Sequence, residues 1–470
     1  MNWIKKYARA EIAAVLALTI VLIGLFVVSP SAGVADNGDF ERVMRSTGLD
    51  FVQDTATDYF YHYVHPVFRM RPIGLWGTGA YATTHVIPVR LARIVNRLIY
   101  AKDYFHTLTL AFVYAILLLI GVYLIVKNCK TKNKWVNAGI AAVCVWVFGD
   151  ATNLVYFNSL YGEACSYVFL LLTLGLGLEL IRQNGKRWVI VCFFISALML
   201  FGSKLQYTLL SPLLLFIAIP LARIFGNKRL TAAALGITLL LSIGIYVIAP
   251  SQLGKDTMYN SVFYGILKGS KTVAADVEDL GLPAGMAALA GTNAYSDLQE
   301  VDIKSAEFDQ QFFQNIGRGK VIAFYLMHPA RLIEKMELTA DMAFDNTIGM
   351  MGNFQKQDVE TPHQHNTFFT SYNWFKAAAY PNSFWFIVIL YLLYFAYLIA
   401  ATVRDTNQKT RLRRLLLLMI LVLGVIQFPL PIIGNGEADI AKQLFVFNAT
   451  FDIALLAAGY AGIKRWVLKI

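Results

Sequence analysis

Ten apolar runs, at about 12–28, 105–126, 135–149, 164–181, 188–202, 208–222, 230–249, 383–402, 415–433 and 443–463, limit this chain to few folds. In lipid every backbone polar group must be satisfied internally, so runs of this length read as transmembrane helices. The composition agrees: 57% of residues are apolar and 15% charged, against about 45–50% and 25% in soluble domains. The expected fold is an all-α polytopic membrane protein with about ten transmembrane helices. The runs starting at Trp135, Trp188 and Thr208 hold only about fifteen residues each, so one pair could form a re-entrant hairpin instead of two crossings.

The first run follows Lys5, Lys6 and Arg9 and is longer than a typical cleavable signal core, so it reads as a retained signal anchor. Ser31-Ala32-Gly33 is the competing reading, a cleavage site. Starting with the N-terminus inside, the cytoplasmic pieces collect 21 of the 41 basic residues, in the groups Lys5 to Arg9, Lys127 to Lys134, Arg182 to Arg187, Arg223 to Arg229, Arg404 to Arg414 and Lys464 to Lys469. The three short outer loops hold only Lys204 and Lys442. The positive-inside bias therefore orients the chain with both termini cytoplasmic, and the net charge of +11 reflects topology instead of nucleic-acid binding. Cys129, Cys144, Cys165 and Cys192 lie in or beside apolar runs, so no disulfide framework is implied.

This orientation divides the chain into an N-terminal transmembrane module, 1–249, with a first outer loop at 31–103, an extracytoplasmic helical cap at 250–382, and C-terminal transmembrane helices at 383–470. The cap carries 15 of the 30 acidic residues and has helix-start signals at Pro283, Ser305 and Pro329. In the first outer loop, Arg90, Arg93 and Arg97 recur at helical spacing beside Leu91, Ile94 and Leu98, the pattern of an interfacial amphipathic helix. Two readings of its arginines are open: a basic face on lipid headgroups, or, together with Arg69 and Arg71, a grip on a lipid-linked phosphate.

Polar residues gather at the outer edges of the spans. Asp36, Asn37, Asp39, Glu41 and Arg42 follow the first run; Asp150, Asn153, Tyr156, Asn158, Tyr161 and Glu163 separate the third and fourth; Lys204 and Gln206 separate the fifth and sixth; Asn435, Glu437, Asp439, Lys442, Gln443 and Asn448 join the last two. Four such groups on one face point to work done at the outer surface. A half-buried carboxylate can act as general base on a hydroxyl. Lys204 and Arg69, Arg71 or Arg90 can stabilise a departing phosphate. Asn158, Tyr161, Glu163, Gln206, Asn435, Glu437, Asp439 and Lys442 suit sugar or acceptor hydroxyls. His363-Gln364-His365 lacks a third ligand and reads as a loop, Asn448-Ala449-Thr450 falls inside a span, and no P-loop, GxGxxG or GxSxG occurs.

An acidic motif directly after the first span, a long outer loop with membrane-lying helices and a late outer cap together resemble the GT-C superfamily of integral-membrane glycosyltransferases. Asp36-Asn37-Gly38-Asp39-Phe40, Tyr156-Phe157-Asn158-Ser159-Leu160-Tyr161-Gly162-Glu163 and Lys442-Gln443-Leu444-Phe445-Val446-Phe447-Asn448 are similar to the bacterial glycan-biosynthesis hexosyltransferase group within it. The resemblance implies an inverting enzyme in a bacterial cytoplasmic membrane. It would move a sugar, of hexose type, from a polyprenyl-phosphate donor to a cell-envelope glycan or teichoic-acid-like acceptor on the outer face, without a divalent metal or other cofactor. It also implies a catalytic Asp in the first outer loop, which falls on Asp36 or Asp39; Gly38 favours Asp39 by letting the backbone turn before it. The chain lacks the double-tryptophan-Asp signature of the oligosaccharyltransferase branch. Two other activities fit the same pattern: a polymerase or ligase acting on polyprenyl-diphosphate glycans, and a non-catalytic lipid-linked-sugar flippase.

Overall fold

The computed structural model describes residues 9–52, 59–72, 81–295 and 301–467. Lys5, Lys6 and Lys469, counted among the inner basic residues, lie outside these. Each of the ten apolar runs is helical. We number the helices used below α1 (Ala10–Phe26), α2 (Phe40–Thr47), α3 (Val86–Ile99), α4 (Thr107–Asn128), α5 (Lys134–Phe148), α6 (Gly162–Arg182), α7 (Arg187–Phe201), α8 (Leu215–Phe225), α9 (Lys228–Val247), α10 (Ser371–Ala379), α11 (Phe384–Arg404), α12 (Gln408–Gln427) and α13 (Phe445–Gly462).

Length and composition alone qualify α4, α6, α9, α11 and α13 as membrane-crossing, and α5 becomes a sixth if its 52° bend into 151–158 is one broken span. The others fall short for stated reasons. α1 and α7 have 17 and 15 residues, and at 1.5 Å per residue fifteen reach only about 22 Å of the roughly 30 Å hydrocarbon core. α12 has 20 residues but opens with Lys409, Arg411, Arg413 and Arg414.

Helix α6 is the axis of the bundle: 89% of its most apolar window is buried, against 17% for the outer helices α9 and α11. Small residues permit that closeness. A Cβ at Gly175 would stand 2.8 Å from Leu124, and one at Gly177 2.6 Å from Leu416. A second apolar core runs from the cap, through Tyr259, Phe263 and Phe312, into Tyr391 of α11, Phe428 and Phe447 of α13. The cap is therefore fused to the C-terminal helices. Its start signals hold: the Ser305 hydroxyl accepts from the Phe308 N–H at 3.1 Å, and Pro329 opens the helix Pro329–Asp341.

The first outer loop departs from an all-helical reading. Leu49–Phe51 (β1), Val67–Met70 (β2) and Tyr104–His106 (β3) form a small antiparallel sheet in that order, aligning Phe51, Phe68 and Phe105. Three or four residues are too few to show a period of two, and it is the cross-strand aromatic set that holds them.

Helix α3 is amphipathic as expected, but two of its three arginines turn toward the protein, while Arg97 is exposed. Arg93 is buried, Arg90 Nη2 donates to the Ser46 carbonyl at 2.8 Å, and Arg93 donates to the carbonyls of Thr47 and Arg71. The Ser46 and Thr47 carbonyls are among those left unpaired where α2 ends, the negative pole of that short helix. Ile87, Leu91, Ile94, Leu98 and Ile99 face outward instead, with Leu98 81% exposed. The outward face of α3 is therefore this apolar stripe together with Arg97.

Candidate functional site

The four polar groups share one end of the bundle. Asp36 follows α1, Glu163 opens α6, Lys204 follows α7 and Lys442 precedes α13. The opposite end is fixed by other pairs: Glu11 with Lys130, and Glu179 with Lys127.

Asp36 is folded into a tight turn. Its Oδ1 accepts from the N–H groups of Gly38 at 2.8 Å and Phe40 at 3.2 Å, which orients the start of α2. Gly38 sits at φ +99°, a backbone state that disfavours any side chain, so the turn requires glycine there. Asp36 is only 3% exposed, and its Oδ2 has no hydrogen-bond partner among the described residues. Burial raises its carboxyl to about 6, against the lowering pull of the Phe40 and Gly38 N–H groups. It lines an open cleft of about 230 Å³ with Glu41, Met44, Phe60 and His65, a little below the range of about 300–1,000 Å³ common to small-ligand sites.

Asp39 is held differently. Its Oδ2 meets Lys442 Nζ at 2.5 Å and its Oδ1 meets Arg42 at 2.9 Å, with 30% of the side chain exposed. Burial alone would raise this carboxyl, but the Lys442 ammonium and the Arg42 guanidinium outweigh it and hold it well below the usual carboxylate range. Lys442 itself is pushed upward: burial opposes its charge, and Asp39, Asp439 and Glu163 overcome that. Its ammonium also lies 4.9 Å above the Tyr161 ring.

Tyr161 ties these loops together. Its hydroxyl accepts from the Asn37 N–H at 2.9 Å and donates to the Ala35 carbonyl at 2.8 Å. Asn37 reaches across to Asp439 at 3.2 Å, and Asp439 lies 3.6 Å from Lys442. Lys204 pairs with buried Glu163 at 2.5 Å. One assembly thus holds the acids Asp36, Asp39, Glu163 and Asp439 against the cations Arg42, Lys204 and Lys442. The acids outnumber the cations by one, and Asp36 is the one with no ion pair among the described residues.

Other residues singled out from the sequence are placed elsewhere. Asn158 is buried, accepting from Thr107 at 2.6 Å and donating to the Ala32 carbonyl at 2.9 Å, which pins the loop after α1 to the head of α4. Gln206 bonds Gln427, and Asn435 bonds Asn260 of the cap. Glu437 binds the cap lysines Lys268 at 2.8 Å and Lys335 at 2.5 Å. Arg71 pairs with Asp50, Arg69 stands exposed on β2, and Arg90 caps α2. His363 Nδ1 contacts the Met350 carbonyl at 2.8 Å. Among the described residues no cluster of three or more His, Cys, Asp or Glu could hold a metal ion.

Arg42 was named from the sequence in the first polar group but given no role there, and its pairing with Asp39 one helical turn away supplies one. One further partner was absent from the sequence reading of the site. Tyr295, whose hydroxyl accepts from Arg42 at 3.4 Å, carries no local signal, since the cap brings it in from far along the chain.

Compared with known protein families, residues 1–470 match the model of the YfdI N-terminal transmembrane domain. No curated protein and no solved structure matches the chain.

Proposed function

The chain belongs to the YfdI N-terminal transmembrane domain family, and from that membrane setting and the acid pair at the bundle's end we propose that it is an inverting GT-C glycosyltransferase. It transfers a hexose-type sugar from a polyprenyl-phosphate donor to a cell-envelope glycan or teichoic-acid-like acceptor at the outer face of a bacterial cytoplasmic membrane. In this reading the ten helices all cross or enter the bilayer, and both termini are cytoplasmic.

The observation that carries the reading is Asp36: a buried carboxylate that lines a cleft, with one oxygen unpartnered among the described residues and a proton affinity raised to about 6. Its Oδ2 takes the proton of an acceptor hydroxyl as that oxygen attacks the anomeric carbon. The bond from that carbon to the phosphate oxygen breaks on the opposite face, and the polyprenyl phosphate leaves with its charge. Asp39 is the weaker base, because two cations stabilise its ionised form. We assign it to holding Arg42 and Lys442 in place. A phosphate enters by exchanging with Asp39 for those cations, since each is already paired.

The test uses the full chain in lipid nanodiscs with a synthetic polyprenyl-phosphate hexose and a glycan acceptor. A product of inverted anomeric configuration is expected. Turnover only with a polyprenyl-diphosphate oligosaccharide would replace the proposal with a polymerase or ligase. Lipid scrambling without a glycosidic product would replace it with a flippase.

A further inference from the structure

The end of the bundle away from the acid assembly carries a charge pattern of its own. Its carboxylates are Glu11, Glu179 and Asp405, and each is matched: Glu11 with Lys130, Glu179 with Lys127 and Arg182, and Asp405 with Arg414 at 2.8 Å. Most of the cations left over are exposed, as Arg404, Lys409 and Arg411 are, and keep their charged heads in water. Arg413 and Lys464 differ. Both are half-buried, and neither makes an ion pair or a hydrogen bond among the described residues.

Three helix ends bring these two cations together. Arg413 lies in the first two turns of α12. Lys464 follows α13 and holds its ammonium 5.1 Å from the centre of the Tyr460 ring. Cys129, the residue that ends α4, feels both charges: burial pushes its thiol up to about 11, while Arg413 and Lys464 pull it back. The two cations also act on each other, a like-charge pair with no carboxylate to offset it. Of the Arg413 nitrogens only Nε is sealed from solvent, without an acceptor, so the terminal nitrogens stay uncovered.

Holding two like charges partly out of water is unfavourable until an anion joins them. A phosphate diester fits this place. The guanidinium fork and the ammonium supply charge-assisted hydrogen bonds to its oxygens. Tyrosine is enriched at headgroup depth, and α13 is among the helices long and apolar enough to cross a membrane. Basic pockets between such helices hold anionic headgroups in this manner. We propose that Arg413 and Lys464, with Tyr460 beside them, form a binding site for the phosphate of an anionic phospholipid. The site is independent of the transfer reaction. Bound lipid joins the start of α12 to the end of α13 and removes the repulsion between their cations.

The experiment is native mass spectrometry of the full chain in detergent, with dioleoyl phosphatidylglycerol, dioleoyl phosphatidylcholine and inorganic phosphate as separate probes, and thermal midpoints read on the same samples. Phosphatidylglycerol is expected to bind and to raise the midpoint, and phosphatidylcholine to bind more weakly. Arg413→Gln and Lys464→Gln each weaken phosphatidylglycerol roughly tenfold, the worth of about one hydrogen bond to a charged group. Arg411→Gln, at an exposed cation of the same helix, leaves it unchanged. Without lipid, the Arg413 and Lys464 variants are expected to unfold at or above the wild-type midpoint, because a repulsion is removed and no bond within the described fold is lost. That reading separates a lost site from a misfolded chain. Equal binding of phosphatidylglycerol by wild type and both variants overturns the site, as does equal binding of phosphatidylcholine and phosphatidylglycerol by wild type. A lipid-free midpoint well below wild type in both variants gives the two cations a purely structural role and likewise overturns it. Protection by inorganic phosphate equal to that by phosphatidylglycerol overturns the lipid assignment.

Discussion

Helix α6 carries a buried glutamate near each end, and the two ends are built differently. Glu179 accepts from Lys127 at 3.2 Å, Asn128 at 3.0 Å, Arg182 at 3.0 Å and Gln183, so both of its oxygens are taken. No cleft opens onto it among the described pockets. At the other end Glu163 is also paired, with Lys204, but the assembly it joins includes Asp36, which lines an open cleft and whose Oδ2 has no hydrogen-bond partner among the described residues. Both ends bury carboxylates at similar depth. A closed network holds helices together, whereas one left open at a single carboxylate has capacity for a proton.

The largest expected effect tests that contrast directly. Asp36→Asn keeps the turn, because an amide oxygen can still accept from Gly38 and Phe40, but it cannot take a proton. Transfer should fall by about 10²–10⁴-fold with the thermal midpoint unchanged or raised. The midpoint follows from the sign of the linkage. The folded Asp36 titrates at about 6, above its ordinary 3.8. Its stabilising contribution is therefore whole below pH 3.8 and lost as pH rises through about 6. Asp39→Asn comes next: Lys442 and Arg42 lose their anchor, and the donor KM should rise roughly 10–100-fold with a smaller change in kcat. A larger loss of kcat from Asp39→Asn than from Asp36→Asn would reverse the two assignments.

At the closed end the expected sign is opposite. Glu179→Gln should lower stability by about 1–3 kcal/mol, because hydrogen bonds to a buried charge are lost, while transfer per folded molecule is retained; thermal unfolding and turnover on the same sample separate the two. The smallest effect belongs to Arg90→Ala, about 0.5–1.5 kcal/mol of stability for one backbone carbonyl left without its donor. A marked rise in donor KM for that variant would return Arg90 to the phosphate site.

How much could be read beforehand follows from what sequence encodes. The ten helical runs were legible because apolar length is a one-dimensional property. The shared end of Asp36, Asp39, Tyr161, Glu163, Lys204, Asp439 and Lys442 was legible because successive spans bring alternate loops to the same end. Depth, however, does not fix direction around a helix. Asn158, Gln206, Asn435 and Glu437 lie at the expected end yet turn to Thr107, Gln427, Asn260 and the cap lysines. For α3 the period revealed two stripes, but which one faces the protein is decided by the carbonyls at the end of α2, which only the tertiary fold supplies. The roles of Asp36 and Asp39 separate for the same reason: Lys442 lies 403 residues from Asp39 along the chain.

The most direct test is the pH dependence of kcat/KM for wild-type protein with a synthetic polyprenyl-phosphate hexose between pH 5 and 8. A base with the proton affinity of Asp36 predicts a plateau above about pH 7 and a fall approaching tenfold per pH unit below about 6. A rate that stays flat across that interval would contradict the assignment of Asp36 as the base.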